Sequence, residues 1–187
     1  AERQTENLDI IQRSADRINR LIQDLLDVAQ IEAGRLSVRS AALDLSEVIE
    51  DVVSQARLQA SSKNIHVASE VPESLPSVEA DRDRVFQVLA NLIDNALKFT
   101  PDGGSVTVSA SPALEGVSIA VADTGPGIAP EQRDHLFDRF WKGHRASGAG
   151  LGLAIVKGIL LAHGADIRVE TEVGSGSVFS FTLRLAD

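Results

Sequence analysis

Apolar residues recur every three or four positions along the first part of the chain, at Leu8, Ile11, Ala15, Ile18, Ile22, Leu25 and Ala29. Gln12, Arg13, Asp16, Arg17, Asn19, Arg20, Gln23 and Asp24 lie between them, so the period is that of a helix. Leu21, Leu26 and Val28 widen the apolar stripe beyond that of a simple surface helix, and Gly34 offers a stop. So long a terminal helix has too little chain beside it to build a bundle. Its partner helices are expected either outside this sequence or in a second subunit. Exposed Ile18, Ile22 and Leu25 would then favour weak self-association.

Beyond a break at 34–43 the pattern changes to shorter elements, and this break is the expected domain boundary, with 1–38 on one side and 39–187 on the other. Leu45, Val48, Ile49, Val52, Val53 and Ala56 give 45–61 one apolar face, with Ser46 or Asp44 as the cap. Residues 64–70 alternate as a strand, and Pro72 and Pro76 interrupt the chain. A helix is expected from Asp81 to Phe99, with Val85, Val88, Leu89, Leu92, Ile93 and Ala96 facing inward, followed by the turn Pro101-Asp102-Gly103-Gly104. Strands follow at 105–111 and 117–122, then a loop at 125–130 and a mostly helical stretch at 131–140. The polar, glycine-bearing segment 142–150 is expected to move. A helix at 151–163 and a hairpin of 167–172 with 177–185 close the chain. Helices on one side of a mixed or antiparallel sheet make an α+β fold, a two-layer α/β sandwich.

Composition narrows the functional classes. The 187 residues carry 27 acidic and 18 basic side chains, a formal charge of −9, which disfavours non-specific binding to DNA or anionic lipid. No cysteine is present, which removes disulfides, thiol nucleophiles and thiolate metal sites. No apolar run approaches the roughly 18–20 residues needed to span a bilayer. A bound polyanion would have to be held by local N–H groups, a cation or a lone lysine against the overall field.

Three stretches carry candidate chemistry. Asn91, Asn95 and Lys98 stand four and three apart, so they share one helix face. An Asn oxygen can hold a hard cation and Lys98 can meet a phosphate, although the same spacing fits a solvent-facing stripe. Asp123-Thr124-Gly125-Pro126-Gly127-Ile128 follows a buried strand, placing an acid where it can accept a hydrogen bond from an amino group. Its glycines admit a flat ring, or simply make a tight turn. Gly148-Ala149-Gly150-Leu151-Gly152-Leu153 leads into a helix, an arrangement that can hold an anion on backbone N–H groups. It matches neither the Rossmann G-x-G-x-x-G nor the P-loop.

Taken together, the stretches resemble the ATP-binding module of sensor histidine kinases, within the wider GHKL ATPase group of gyrase, a heat-shock chaperone and MutL. Asn91 through Asn95 to Phe99 resembles the N box, and Asp123-x-Gly125-x-Gly127 the first glycine box. Phe137-Asp138-Arg139-Phe140-Trp141 is similar to the phenylalanine box, and 148–153 to the second glycine box. The turn Gly174-Ser175-Gly176-Ser177-Val178-Phe179 resembles the module's closing glycine turn. The resemblance covers 44–187 and implies the Bergerat ATP-binding fold. It implies that Asn95 coordinates Mg²⁺, with Asn91 beside it and Lys98 near the phosphates. Asp123 would receive the adenine amino group in a pocket shaped by Gly125, Gly127 and Ile128. Phe140, Gly148, Gly150, Leu151, Gly152 and Leu153 would complete the nucleotide site, with 142–149 as a lid.

The stretch from Leu21 to Gly34 is similar to the second helix of the dimerisation and phosphotransfer domain, a hairpin that pairs into a four-helix bundle. The family's acceptor histidine lies on the first helix of that hairpin. No string of that kind surrounds His66, His135, His144 or His163, which read as surface or structural, His144 alone having some prospect of meeting nucleotide phosphate. The implied function is ATP-dependent phosphorylation of a protein histidine, with ATP or ADP and Mg²⁺ as cofactors and relay to a response-regulator receiver domain. The implied partners are the second subunit and that regulator, with no nucleic acid, in a cytoplasmic location compatible with a membrane anchor elsewhere. Where gyrase and MutL relatives carry a water-activating Glu, this sequence has Asn91, so hydrolysis of ATP is expected to be slow. The alternatives are a catalytically inactive nucleotide-binding regulatory module and a serine kinase of the anti-sigma type. The long N-terminal helix speaks against the latter.

Overall fold

The computed structural model describes the backbone of residues 2–141 and 149–186, and side chains there except at 2–10, 13, 16, 17 and 62. Helix α1 spans Glu2–Glu32. After it come β1 (Ala41–Leu43), α2 (Leu45–Ala60), β2 (His66–Glu70), β3 (Val78–Ala80) and α3 (Arg82–Phe99). The chain continues through β4 (Ser105–Ala113), β5 (Gly116–Asp123), α4 (Pro130–Arg133), α5 (Gly152–Ala162), β6 (Ile167–Glu172) and β7 (Gly176–Arg184).

Five strands form one sheet in the order β2-β4-β5-β7-β6, with β2 parallel to β4 and the other pairs antiparallel. The sheet is therefore mixed. The parallel pair requires a crossover, and α3 supplies it. Strand alternation sets the inner face: Val106 and Val108, Val117, Ile119 and Val121, and Phe179, Phe181 and Leu183 are buried, while Thr107, Ser109, Ser118 and Ser180 between them are not. α2, α3 and α5 cover that face with Val48, Ile49, Leu89, Leu92, Ile93, Ile155 and Ile159. This is the two-layer α/β sandwich that the pattern predicts, preceded by a long helix.

Two aspartates start the covering helices. Asp44 Oδ1 accepts from the Ser46 N–H, and Asp81 Oδ1 accepts from Asp83 and Arg84 N–H. Asp81 therefore caps α3 and does not open it. Its own N–H donates to His163 Nε2, and His163 Nδ1 lies 2.9 Å from the Ile159 carbonyl. That pair of contacts fixes the neutral tautomer with the proton on Nδ1 and makes His163 a structural tie between α3 and α5.

One sequence expectation changes, and one element is added. Residues 131–140 are not mostly helical: after Arg133 the chain runs in tight turns, with Leu136, Asp138 and Trp141 N–H each bonding back three residues. Phe140 then takes a left-handed φ of 60°, which no helix tolerates. β1 and β3 form a second, two-stranded sheet that pairs Ala41–Leu43 with Val78–Ala80 and that the sequence pattern does not reveal. At three residues each, those strands give no measurable alternation.

Candidate nucleotide site

α3 carries Asn91, Asn95 and Lys98, all half-buried, on the helix that lies across the sheet and against α5. Asn91 Nδ2 is buried and has no hydrogen-bond partner among the described residues. A Cβ built on Gly152 would lie 3.6 Å from Asn91 Oδ1, so Asn91 faces the first turn of α5. The opening amides of α5 have no intrahelical acceptor, and Leu151 ahead of them provides no side-chain cap. Lys98 Nζ lies over the Phe99 ring, 5.1 Å from its centroid.

Asp123 ends β5, where its oxygen Oδ1 accepts the Gly125 N–H at 2.8 Å. Burial raises its carboxyl above the ordinary carboxylate value, and the N–H groups of Gly125 and Ser177 oppose that rise. Gly125 is buried close to the Phe99 carbonyl, so the loop after β5 meets the end of α3. Gly127 has a φ of 69° and is so close to the Glu172 carbonyl that no side chain fits. This glycine is demanded both by conformation and by contact.

Thr171 on β6 binds this loop to the closing turn. Its hydroxyl donates to the Gly176 carbonyl and accepts the Ile128 N–H, each at 2.9 Å. With that single proton committed, the Ser177 hydroxyl, 2.9 Å away, must be the donor to Thr171. Gly174 N–H adds a bond to the Pro126 carbonyl at 2.8 Å. Neither Thr171 nor Ser177 was singled out from the sequence for this task. Only the glycine turn around them was visible, and their role depends on the β6–β7 and β5–β7 registers.

Phe140 is 61% exposed, and its N–H donates to the Gly150 carbonyl at 2.9 Å, which brings the phenylalanine-box turn to the glycine loop ahead of α5. Gly150 has a φ of 73° and abuts the Trp141 carbonyl, while Leu151 is buried and Gly152 and Leu153 are half-buried. Gly148, His144 and most of the segment read as a lid lie outside the described residues. The candidate residues otherwise gather around α3, the end of β5 and the start of α5. A cleft of about 300 Å³ opens beside Asp123, bordered by Thr171, Glu172 and Ser177. A larger hollow of about 620 Å³ between α2 and α3 holds none of these residues.

Among the described residues no three His, Cys, Asp or Glu side chains cluster as a metal site. The available donor set is instead a neutral Asn95 oxygen beside Asn91. Such a set suits a hard cation that arrives with phosphate oxygens as its other ligands.

Comparison with known proteins places the chain in a family. The family described as histidine kinase-, DNA gyrase B-, and HSP90-like ATPase matches residues 80–187, and the His Kinase A (phospho-acceptor) domain matches 1–34. The adaptive-response sensory kinase SasA of Thermosynechococcus vestitus is 38% identical over 170 residues, which cover 89% of this chain and 45% of that protein. Histidine protein kinase DivJ of Caulobacter vibrioides is 35% identical over 98% of this chain and 31% of its own length. The chain thus spans less than half the length of these curated relatives. Full-length ShkA in complex with AMPPNP superposes over 100% of this chain and 40% of its own, with a TM-score of 0.84 and 35% identity. Acinetobacter baumannii histidine kinase AdeS gives a TM-score of 0.80 at 26% identity, covering 96% of this chain and 84% of its own. With a family match over more than half its length and a Bergerat-type sandwich, the chain belongs to the histidine kinase-, DNA gyrase B-, and HSP90-like ATPase family, its matched domain preceded by a segment that matches the phospho-acceptor domain.

Proposed function

We propose that this chain holds ATP with its adenine at Asp123 and its phosphates between Asn91, Asn95, Lys98 and the first turn of α5, and delivers the γ-phosphoryl group to a histidine of the phospho-acceptor domain. The observation that carries this reading is Asn91, whose buried Nδ2 has no hydrogen-bond partner among the described residues and whose Oδ1 faces the first turn of α5. Unpaired buried donors are expensive to keep, and a phosphate between them would satisfy both sides. Gly152 fits the same view: the chain leaves room for a methyl group there, so a side chain at 152 would take up space at the start of α5 and not strain the fold.

Asn95 would hold Mg²⁺, which when bound neutralises phosphate charge against the net −9 of the chain. Asp123 selects adenine by accepting from its amino group, and Gly127 and Ile128 shape the wall. Phosphoryl transfer then depends on placing the acceptor imidazole in line with the γ-phosphorus, so that its N–P bond forms as the bond to ADP breaks. Asn91 is a carboxamide and takes no proton from water, which keeps hydrolysis slow beside transfer. In the intact protein α1 would pair with a second subunit, and a receiver-domain aspartate would take the phosphoryl group next. The division at residue 38, a cytoplasmic setting and these partners belong to the same proposal; no helix among the described residues is long and apolar enough to cross a membrane.

The test is transfer itself. γ-Labelled ATP is given to this chain mixed with a phospho-acceptor domain from a full-length relative, and the acid-labile label is followed. Label on the acceptor histidine that disappears with Asn95→Ala supports the reading. Binding of ATP without transfer to any acceptor domain would point to the inactive regulatory module.

A further inference from the structure

Asp27 is fully buried, although it lies on α1, a helix whose neighbouring apolar residues Ile18, Ile22 and Leu26 are more than half exposed. Its carboxylate accepts from Arg84 NH1 at 2.9 Å and from Gln87 Nε2 at 2.6 Å, both on α3, and from Gln23 Nε2 at 3.4 Å on its own helix. Arg84 also donates to Gln87 Oε1 at 2.8 Å, which closes the cluster. Two outer contacts flank it: Arg20 with Asp94 at 3.1 Å, and Glu32 with Arg139. Ile31 packs on Gly158 of α5 with no space for a methyl group between them. The C-terminal half of α1 therefore touches α3, α5 and the turn before Phe140, the three elements that bear the phosphate side of the nucleotide site.

We propose that Asp27, Arg84 and Gln87 form an interdomain latch that seats the nucleotide domain at one register on its own dimerisation helix and must open before the domain can leave it. The proposal rests on the domain division proposed above. A buried ion pair adds little net stability over an apolar contact, but it strongly disfavours any arrangement in which one partner stays buried alone. A shift of one helical turn along α1 would put Gln30 or Ile31 in the place of Asp27 in one direction, leaving Arg84 without a carboxylate, and Gln23 or Asp24 in the other, breaking the present bonds to Gln87. The exposed pair of Arg20 and Asp94 contributes little to this selectivity.

Because the chain has no native cysteine, spin labels at Asn19→Cys and Leu114→Cys report the position of α1 against the sheet without further engineering. Leu114 is fully exposed and remote from the contact. A single narrow distance distribution is expected for the chain, and a broad or multiple one for Asp27→Ala. Amide exchange at 22–32 should then quicken at least tenfold, with the amides of β4, β5 and β7 unchanged as the control for folding. Asp27→Asn, which keeps an acceptor for Arg84, should give a smaller change, and Asp27→Ala with Arg84→Ala should give less than the sum of the single effects. An unchanged distribution in Asp27→Ala, or a broad one in the parent chain, overturns the latch. No nucleotide is used, so failure here is separate from failure of the ATP-site reading.

Discussion

The two ends of the proposed nucleotide site are built differently. At the adenine end, Asp123, Gly125, Ile128, Thr171 and Ser177 are tied to one another and to the β5–β7 and β6–β7 ladders. At the phosphate end, the Asn91 amide has no partner among the described residues, α5 starts without a side-chain cap, and Phe140 is held in a left-handed conformation. The first is organised before any ligand arrives, whereas the second holds unsatisfied groups and backbone strain. A ligand group bound at the second can repay more of its binding cost by satisfying those groups.

The largest effect that would sharpen this contrast is at Gly127. Gly127→Ala forces a side chain into the Glu172 carbonyl at a left-handed φ, and should lower stability by about 3 kcal/mol, read as a reduced urea midpoint. Gly152→Ala, by comparison, should leave stability nearly unchanged and weaken binding of ATP analogues. Equal loss of stability in both would erase the distinction between the two ends.

Asp123→Ala should weaken binding of adenine nucleotides by about 10- to 100-fold, the worth of a charge-assisted hydrogen bond, measured by calorimetry. Inosine nucleotides, which lack the amino group, should bind the parent chain as poorly as ATP binds the mutant. The same carboxylate gives a dependence on pH. Burial raises its pKa, so acidification protonates it earlier than an ordinary Asp and removes the acceptor, and binding should fall as pH falls. Stability of the free protein moves the other way for this group: its contribution is present at low pH and is lost as pH rises through the raised value. Thermal shifts with and without nucleotide across a pH series separate the two trends. Parallel trends in Asp123→Asn and the parent chain would show that another group is responsible.

The smallest effect is at Phe140. Phe140→Gly relieves a positive φ and should stabilise the free chain by about 1 kcal/mol, while weakening nucleotide binding a few-fold. A loss of stability would mean that the ring's contacts outweigh the backbone strain.

The same division marks what the sequence makes legible. α3 is readable because an apolar period of eighteen residues, the cap at Asp81 and the stop after Phe99 agree with each other. Asn91, Asn95 and Lys98 are readable for the same reason, since helical spacing alone puts them on one face. Thr171 and Ser177 are not, because nothing local distinguishes them from other strand hydroxyls until the strands are paired. Residues 131–140 mislead because Leu136, Phe137 and Phe140 mimic a helical period, whereas the positive φ at Phe140 is a tertiary property. Asp27 is the least legible of all. A charged residue in a helix reads as solvated, and only its contacts with α3 show otherwise.

The central claim is that the phosphate end is completed by nucleotide and cation together at Asn95. Calorimetric titration of this chain and of Asn95→Ala with a non-hydrolysable ATP analogue, with and without Mg²⁺, tests it most directly. The account predicts Mg²⁺-dependent binding in the parent chain, and in Asn95→Ala a residual affinity that Mg²⁺ no longer alters and that adenosine alone nearly matches. Binding that Mg²⁺ strengthens equally in both proteins would contradict it.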